Sequence, residues 1–230
     1  GDNPLLTLDQ VIATPHLGAS TKEAQTNVAV AAAKQIIAYL LHNTIINAVN
    51  VPSVTGEVLK QLKPFLYLAE KMGLMQSQIT KGGLKSVDIE YIGKFPDFDL
   101  KPVTITAIKG LLSRFVRDEV NAVNAITLAN ELGIKISEST FNLAGNFLNI
   151  IRMTIVTDHN TDIIEGTIFG KDDARIVRIN NFRLEVIPEG HLALIHNMDK
   201  PGSIGSMANT LGKHNINIGR MTVGREDDGE

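Results

Sequence analysis

Apolar and polar positions change their spacing several times along the chain. From Lys22 to about His42, Ala24, Val28, Ala31, Ile36, Tyr39 and Leu40 recur near helical spacing. Ser20-Thr21-Lys22-Glu23 just ahead reads as a capping box with Ser20 at the N-cap, so a long helix is predicted here. Before it, Val11-Ile12-Ala13 is a short candidate for a buried strand, running into Thr14-Pro15-His16. Asn50-Val51-Pro52-Ser53 breaks the pattern and predicts a domain boundary. Two helical stretches are expected over about 55–76, with Pro64 restarting the helix rather than continuing it. Lys81-Gly82-Gly83 predicts a turn, Val87 to Ile92 an alternating strand, and 101–117 and 120–132 two helices, the second stopped by Gly133. From Ile134 the texture turns to short strands, over 148–156, 163–169, 175–179 and 182–187, with Asn180-Asn181 as a two-residue hairpin turn. Pro188-Glu189-Gly190 marks a second boundary. Beyond it a strand (191–197), a loop (198–202), a helix (203–214) and a strand (216–223) are expected.

Composition narrows the classes. A chain of 230 residues with 43% hydrophobic residues has room for one large domain or two to three small ones, each with a core. A net charge of −3 argues against a general nucleic-acid or anionic-membrane surface, both of which require a basic excess. With no cysteine, disulfides, thiolate zinc sites, cysteine-ligated iron–sulfur clusters and cysteine nucleophiles are excluded, and no metal site is expected. The longest apolar stretch, Val28 to Leu41, is interrupted by Lys34 and Gln35 and is too short for a bilayer span. No signal peptide precedes it, and a cytoplasmic location is expected.

Three places carry candidate chemistry. His16 follows a strand end and precedes a helix N-terminus; histidine titrates near neutrality, as a proton donor and acceptor must, although a lone loop histidine is more often simply solvated. The loop Asn197-Met198-Asp199-Lys200-Pro201-Gly202 puts a carboxylate beside a helix N-terminus, an arrangement complementary to a zwitterionic amino acid, or Asp199 is merely an N-cap neighbour. In the hairpin, a turn at Asn180-Asn181 sets Ile179 against Phe182 and Arg178 against Arg183. Two guanidiniums facing across a ladder repel unless an anion bridges them or Glu185, a diagonal neighbour, neutralises them. Simple alternation puts Arg175 on the opposite face.

Val11 to Gln25, reading VIATPHLGASTKEAQ, resembles the end of the nucleotide-binding domain of D-2-hydroxyacid dehydrogenases, most closely the phosphoglycerate dehydrogenase branch. The resemblance implies that His16 is the acid/base exchanging a proton with the substrate hydroxyl during hydride transfer to NAD, and that Gly18 approaches the nicotinamide. The orienting carboxylate, the substrate-binding arginine and the glycine-rich loop are expected upstream, so this chain alone is expected to be inactive. KGLLSRFVRDEVNAVNAITLANELGI and EGTIFGKDDARIVRINNFRLEV resemble the intervening, allosteric substrate-binding domain of the longer members, where basic residues can bind a phosphorylated small molecule; Arg175, Arg178 and Arg183 are the candidates. HNMDKPGSIGSMANTLGKHNINI is similar to the opening half of an ACT domain, which binds amino acids between two copies. This implies L-serine as effector, contacted by Asn197 and Asp199, with Asn217 reaching it from a partner subunit of a homo-oligomer. Two further strands and a helix complete such a domain, so its sheet is expected to be incomplete.

The expected architecture is mixed α/β. It comprises a catalytic-domain remnant with a long helix (1–52), an α+β intervening domain (53–187) and a partial, ferredoxin-like ACT unit (188–230). The implied function is that of the regulatory region of an NAD-dependent oxidoreductase converting 3-phosphoglycerate to 3-phosphohydroxypyruvate in serine biosynthesis. The rivals are the regulatory region of an iron–sulfur L-serine dehydratase, disfavoured by the missing cysteines and by TPHLGAST, and a free-standing amino-acid sensor.

Overall fold

A computed structural model of the chain describes residues 3–42, 46–47, 56–97, 99–117, 119–143, 145–198 and 200–226. The chain divides into two compact units, residues 1–54 and 55–230.

The first unit is built on one helix, α1 (Lys22–His42), preceded by a short 3-10 turn at Pro4–Thr7. The Thr21 hydroxyl accepts the Ala24 N–H at 3.1 Å, so Thr21 rather than Ser20 is the cap, and with Ala24 three residues on the reciprocal bond of a capping box is not made. Val11-Ile12-Ala13 is not a strand, and Ile12 is 89% exposed. A buried strand needs neighbours in its sheet, and the described residues of this unit provide none. Val28, Ile36, Ile37, Leu40 and Leu41 stand exposed around α1.

In the second unit α2 (Gly56–Ile79) runs without a break through Pro64. The expected restart does not occur because Leu62, Phe65, Leu68, Ala69 and Met72, on both sides of the proline, are buried in one core. That shared burial outweighs the cost of an interior proline, about 3 kcal/mol. β1 (Leu84–Gly93) follows, then α3 (Lys101–Leu112) and α4 (Ala125–Glu131), both shorter than the spacing predicts. Gly133, at φ +73°, ends α4, with the Ile134 N–H returning to the Ala129 carbonyl. The strands are β2 (Lys135–Phe141), β3 (Asn149–Thr157), β4 (Thr161–Phe169), β5 (Asp173–Ile179) and β6 (Phe182–Val186).

These strands form one sheet in the order β2-β1-β3-β4-β5-β6, extended at the β6 edge by the two residues of β7 (Arg225–Glu226). β1 and β2 are parallel, joined by the α3–α4 crossover; the other pairs are antiparallel. One sheet face is apolar: Val87, Ile89, Tyr91, Met153, Ile155 and Ile164 pack beneath α2 and α3. The helices cross in backbone contact, since a Cβ added to Gly110 would stand 2.7 Å from the Glu70 carbonyl oxygen. Tyr91, wholly buried, shares a hydrogen bond of 2.8 Å with the Thr104 hydroxyl, which in turn donates to Glu138, so one polar chain ties β1, α3 and β2 together.

Beyond Gly190 only α5 (Ser203–Lys213) forms as predicted. The strands expected at 191–197 and 216–223 are absent; neither stretch forms regular structure, and Leu192, Leu194, Ile195, Ile216 and Val223 are exposed. Among the described residues neither stretch pairs with another strand, so neither has a ladder to satisfy its backbone. The tail meets the sheet instead at β6, through the β7 pairing, the Thr222 hydroxyl donating to the Glu185 carbonyl, and the Phe182 and His196 rings at 5.7 Å. Among the described residues no helix is long and apolar enough to cross a membrane.

Candidate functional site

The sheet face turned away from α2 and α3 carries charge. Strand register places Glu90 of β1 opposite Arg152 of β3, Arg152 opposite Glu165 of β4, Glu165 opposite Arg178 of β5, and Arg178 opposite Arg183 of β6. A single row of ionic side chains therefore crosses five strands.

Arg152 sits at its centre. Its Nε–H donates to Glu165 Oε1 at 2.7 Å and its Nη1–H to Glu90 Oε2 at 3.2 Å. Burial by itself would lower the affinity of this guanidinium for its proton. The hydrogen bond and charge of Glu165, followed by those of Glu90, more than reverse that and hold Arg152 above its ordinary value. The Glu165 side chain is only 9% exposed and lies 3.9 Å from Arg178 Nη1, so one carboxylate faces two guanidiniums.

The hairpin adopts the register expected, with Ile179 paired to Phe182 and Arg178 to Arg183. Asn180 takes the left-handed conformation, φ +50°, that such a turn requires. Its side-chain oxygen accepts the Ile163 N–H at 2.7 Å, pinning the tip to β4. Arg178 Nε–H donates to the Asn180 carbonyl at 2.7 Å, which holds the guanidinium over the strand.

Arg175 departs from the expectation. A bulge shifts the β5 register between Ile176 and Arg178, so that Thr167 pairs with Arg175 just as Glu165 pairs with Arg178. The extra residue, Val177, cancels one alternation and returns Arg175 to the face that carries Arg178 and Arg183. There Arg175 bonds to Asp173 and reaches Glu185 Oε1 at 3.3 Å. Glu185 is thus engaged by Arg175, and the carboxylate facing Arg178 is Glu165 of the neighbouring strand β4, outside the hairpin.

A cavity of about 470 Å³ opens over this row, lined by Arg152, Glu165, Arg178, Arg183 and Glu185, with Asn146 and Phe147 on the loop before β3 at its rim. Three guanidiniums face two carboxylates there. Planar guanidiniums held in this way present paired donors suited to carboxylate or phosphate oxygens. Neither Arg152 nor Glu165 stands out in the sequence as a site residue, yet Arg152 is the one charge in an otherwise largely apolar β3, and such a charge must be paired.

The other candidates lie elsewhere. His16 and Gly18 are exposed in the first unit, and a Cβ at Gly18 would meet nothing within 4 Å. These two residues alone do not make a dinucleotide cradle, and no G-x-G-x-x-G run occurs in the chain. Asn197 and Asn217 are exposed, Asn217 in an irregular stretch rather than at the start of a strand; Asp199 lies outside the described residues. Gly202, at φ +89°, makes the tight entry into α5 that the Pro201-Gly202 pair predicts. Among the described residues no cluster of three or more histidine or acidic side chains could hold a metal ion.

Residues 61–180, which contain the whole ionic row up to Arg178, match the family model described as the D-3-phosphoglycerate dehydrogenase intervening domain. The chain is 37% identical over 227 residues to a D-3-phosphoglycerate dehydrogenase of Archaeoglobus fulgidus, 36% over 228 to one of Bacillus subtilis and 38% over 228 to one of Methanocaldococcus jannaschii. In each case 99% of this chain is covered, and it spans 43% of the relative's length. A sheet and helices matched over more than half the chain, within similarity running nearly end to end, place this chain in the D-3-phosphoglycerate dehydrogenase family.

Proposed function

We propose that this chain is the C-terminal, regulatory region of an NAD-dependent oxidoreductase that converts 3-phosphoglycerate to 3-phosphohydroxypyruvate, and that its ionic sheet face receives a phosphorylated small molecule. The observation that carries the reading is the cavity over Arg152, Arg178 and Arg183, whose first two arginines lie within the stretch that matches the family. A phosphate group there would replace part of the water lost by three clustered guanidiniums and relieve the opposition of Arg178 and Arg183.

His16 takes the acid/base role and Gly18 the approach to the nicotinamide only when the rest of a catalytic domain surrounds them. NAD, when bound there, accepts the hydride; within this chain the contribution is an imidazole in an exposed loop ahead of the capped N-terminus of α1. The bulky apolar residues left bare around α1 fit a helix that is covered in the whole enzyme. Asn197, Asp199 and Asn217 are assigned to L-serine, shared between subunits of a homo-oligomer.

The test is calorimetric titration of the 230-residue chain with 3-phosphoglycerate. Binding to the wild type and its loss, at least tenfold, in the Arg178→Ala/Arg183→Ala double variant is the expected outcome. Equal affinity in both proteins rejects the hairpin as the site.

A further inference from the structure

The carboxylate in the middle of the row has a consequence for ligand binding. Glu165 Oε1 receives the Arg152 Nε–H at 2.7 Å and stands 3.9 Å from Arg178 Nη1. An incoming phosphate oxygen would need those same guanidinium edges, because carboxylate and phosphate engage a guanidinium in the same planar, paired fashion. Glu165 lines the cavity and is almost buried, so it is held there by the fold rather than by chance of side-chain orientation. The second cavity carboxylate, Glu185, is turned to Arg175. Glu90, which also bonds Arg152, borders a neighbouring depression with Ile92 and Phe141 and does not line this cavity.

We propose that Glu165 is a built-in competitor at this site, a tethered anion that occupies Arg152 and Arg178 in the free protein and sets the affinity for an external phosphate group. This rests on the reading of the face as an anion site and adds what controls it. Binding exchanges one set of ionic hydrogen bonds for another, so the net gain is small for a monoanion. It grows with ligand charge, because a dianion engages the guanidiniums more strongly than the carboxylate it displaces. The site therefore favours a phosphate monoester over a simple carboxylic acid. Neutralising Glu165 while keeping its shape should raise phosphate affinity by about tenfold or more, the effect of removing one unit charge several ångströms from the anion across an open cavity whose effective dielectric lies between about 20 and 80.

The experiment titrates inorganic phosphate into the full 230-residue chain, as wild type, Glu165→Gln and Glu90→Gln, by calorimetry at low salt. The expected result is tighter binding by E165Q, about tenfold, and a gain of less than about threefold by E90Q. Binding by E165Q with none detectable in the wild type also supports the proposal. Phosphate binding to the wild type with equal or weaker binding to E165Q overturns it and leaves the anion site standing. No binding by either protein overturns both. Should E165Q fail to fold, the wild type decides through the Arg152 Nε–H resonance. Its displacement on saturation with phosphate is expected, and binding that leaves it unmoved refutes the exchange.

Discussion

Replacing Arg152 by methionine removes the guanidinium but keeps an unbranched apolar stem across the sheet. The variant strands Glu165, which is 9% exposed and loses its 2.7 Å bond to Nε. Glu90, with a side chain 24% exposed, can turn to water at little cost. Leaving a buried carboxylate without its partner costs about 3–5 kcal/mol. Two features of the site reduce that figure. Arg152 is itself 34% exposed, so water enters where it stood, and Arg178 at 3.9 Å can swing in to recover part of the pairing. A net loss of about 2–3 kcal/mol is therefore expected. Changing both partners, Arg152→Met with Glu165→Gln, removes the stranded charge and should cost only about 1 kcal/mol, because a neutral amide is cheaper to bury than an unpaired carboxylate. Urea unfolding followed by circular dichroism, on wild type, both single variants and the double, closes the cycle. A loss below about 1 kcal/mol for Arg152→Met, or strict additivity in the double variant, would refute the view that Glu165 depends on this arginine.

Gly110→Ala and Gly166→Ala probe two close approaches of the same length and opposite softness. The new Cβ at 110 stands 2.7 Å from the Glu70 carbonyl oxygen, whereas at 166 it stands 2.7 Å from a Leu68 methyl and 2.9 Å from the Met72 sulfur. Backbone cannot give way, so Gly110→Ala should lose about 2 kcal/mol even after the helix-propensity gain of about 1 kcal/mol, and Gly166→Ala under about 1 kcal/mol; equal losses in urea unfolding contradict this. Burial holds the Tyr91 hydroxyl above the ordinary tyrosine range, so the folded state keeps a proton that the unfolded state releases. Its contribution is complete below the unfolded value of about 10 and is lost as pH rises beyond it, at up to about 1.4 kcal/mol per pH unit. Tyr91→Phe should flatten that alkaline decline, and an unchanged slope removes Tyr91 as its source. In the whole dehydrogenase, L-serine should raise the melting temperature and Asp199→Ala should abolish the rise; an undiminished rise in the variant removes that contact.

What could be read from the sequence was mostly local. Asn180-Asn181 announces its hairpin because a two-residue turn needs a left-handed residue, and Asn180 at φ +50° is that residue. Gly133 and Gly202 mark the end of α4 and the entry to α5 for the same reason. Non-local features stayed hidden. Nothing in β3 or β4 alone says that Arg152 faces Glu165, since the register of strands is set by packing under α2. The bulge at Val177 inverts the face of Arg175, and alternation has no means of anticipating an extra residue. β2 reads as polar because it is an edge strand with Ser137, Ser139 and Thr140 exposed, so it lacks the apolar alternation that marks a strand. Pro64 looks like a break until the two halves of α2 are seen to share one core. The tail shows the converse error: 191–197 and 216–223 have strand composition, but without a neighbour a strand does not form.

The reading of the ionic sheet face as a phosphate-receiving site is tested most directly by crystals of the chain grown with tungstate, a heavy tetrahedral dianion. An anomalous peak between the guanidiniums of Arg178 and Arg183, within reach of Arg152, is the predicted result. Peaks confined to other surfaces, with this cavity clear at saturating tungstate, would contradict it.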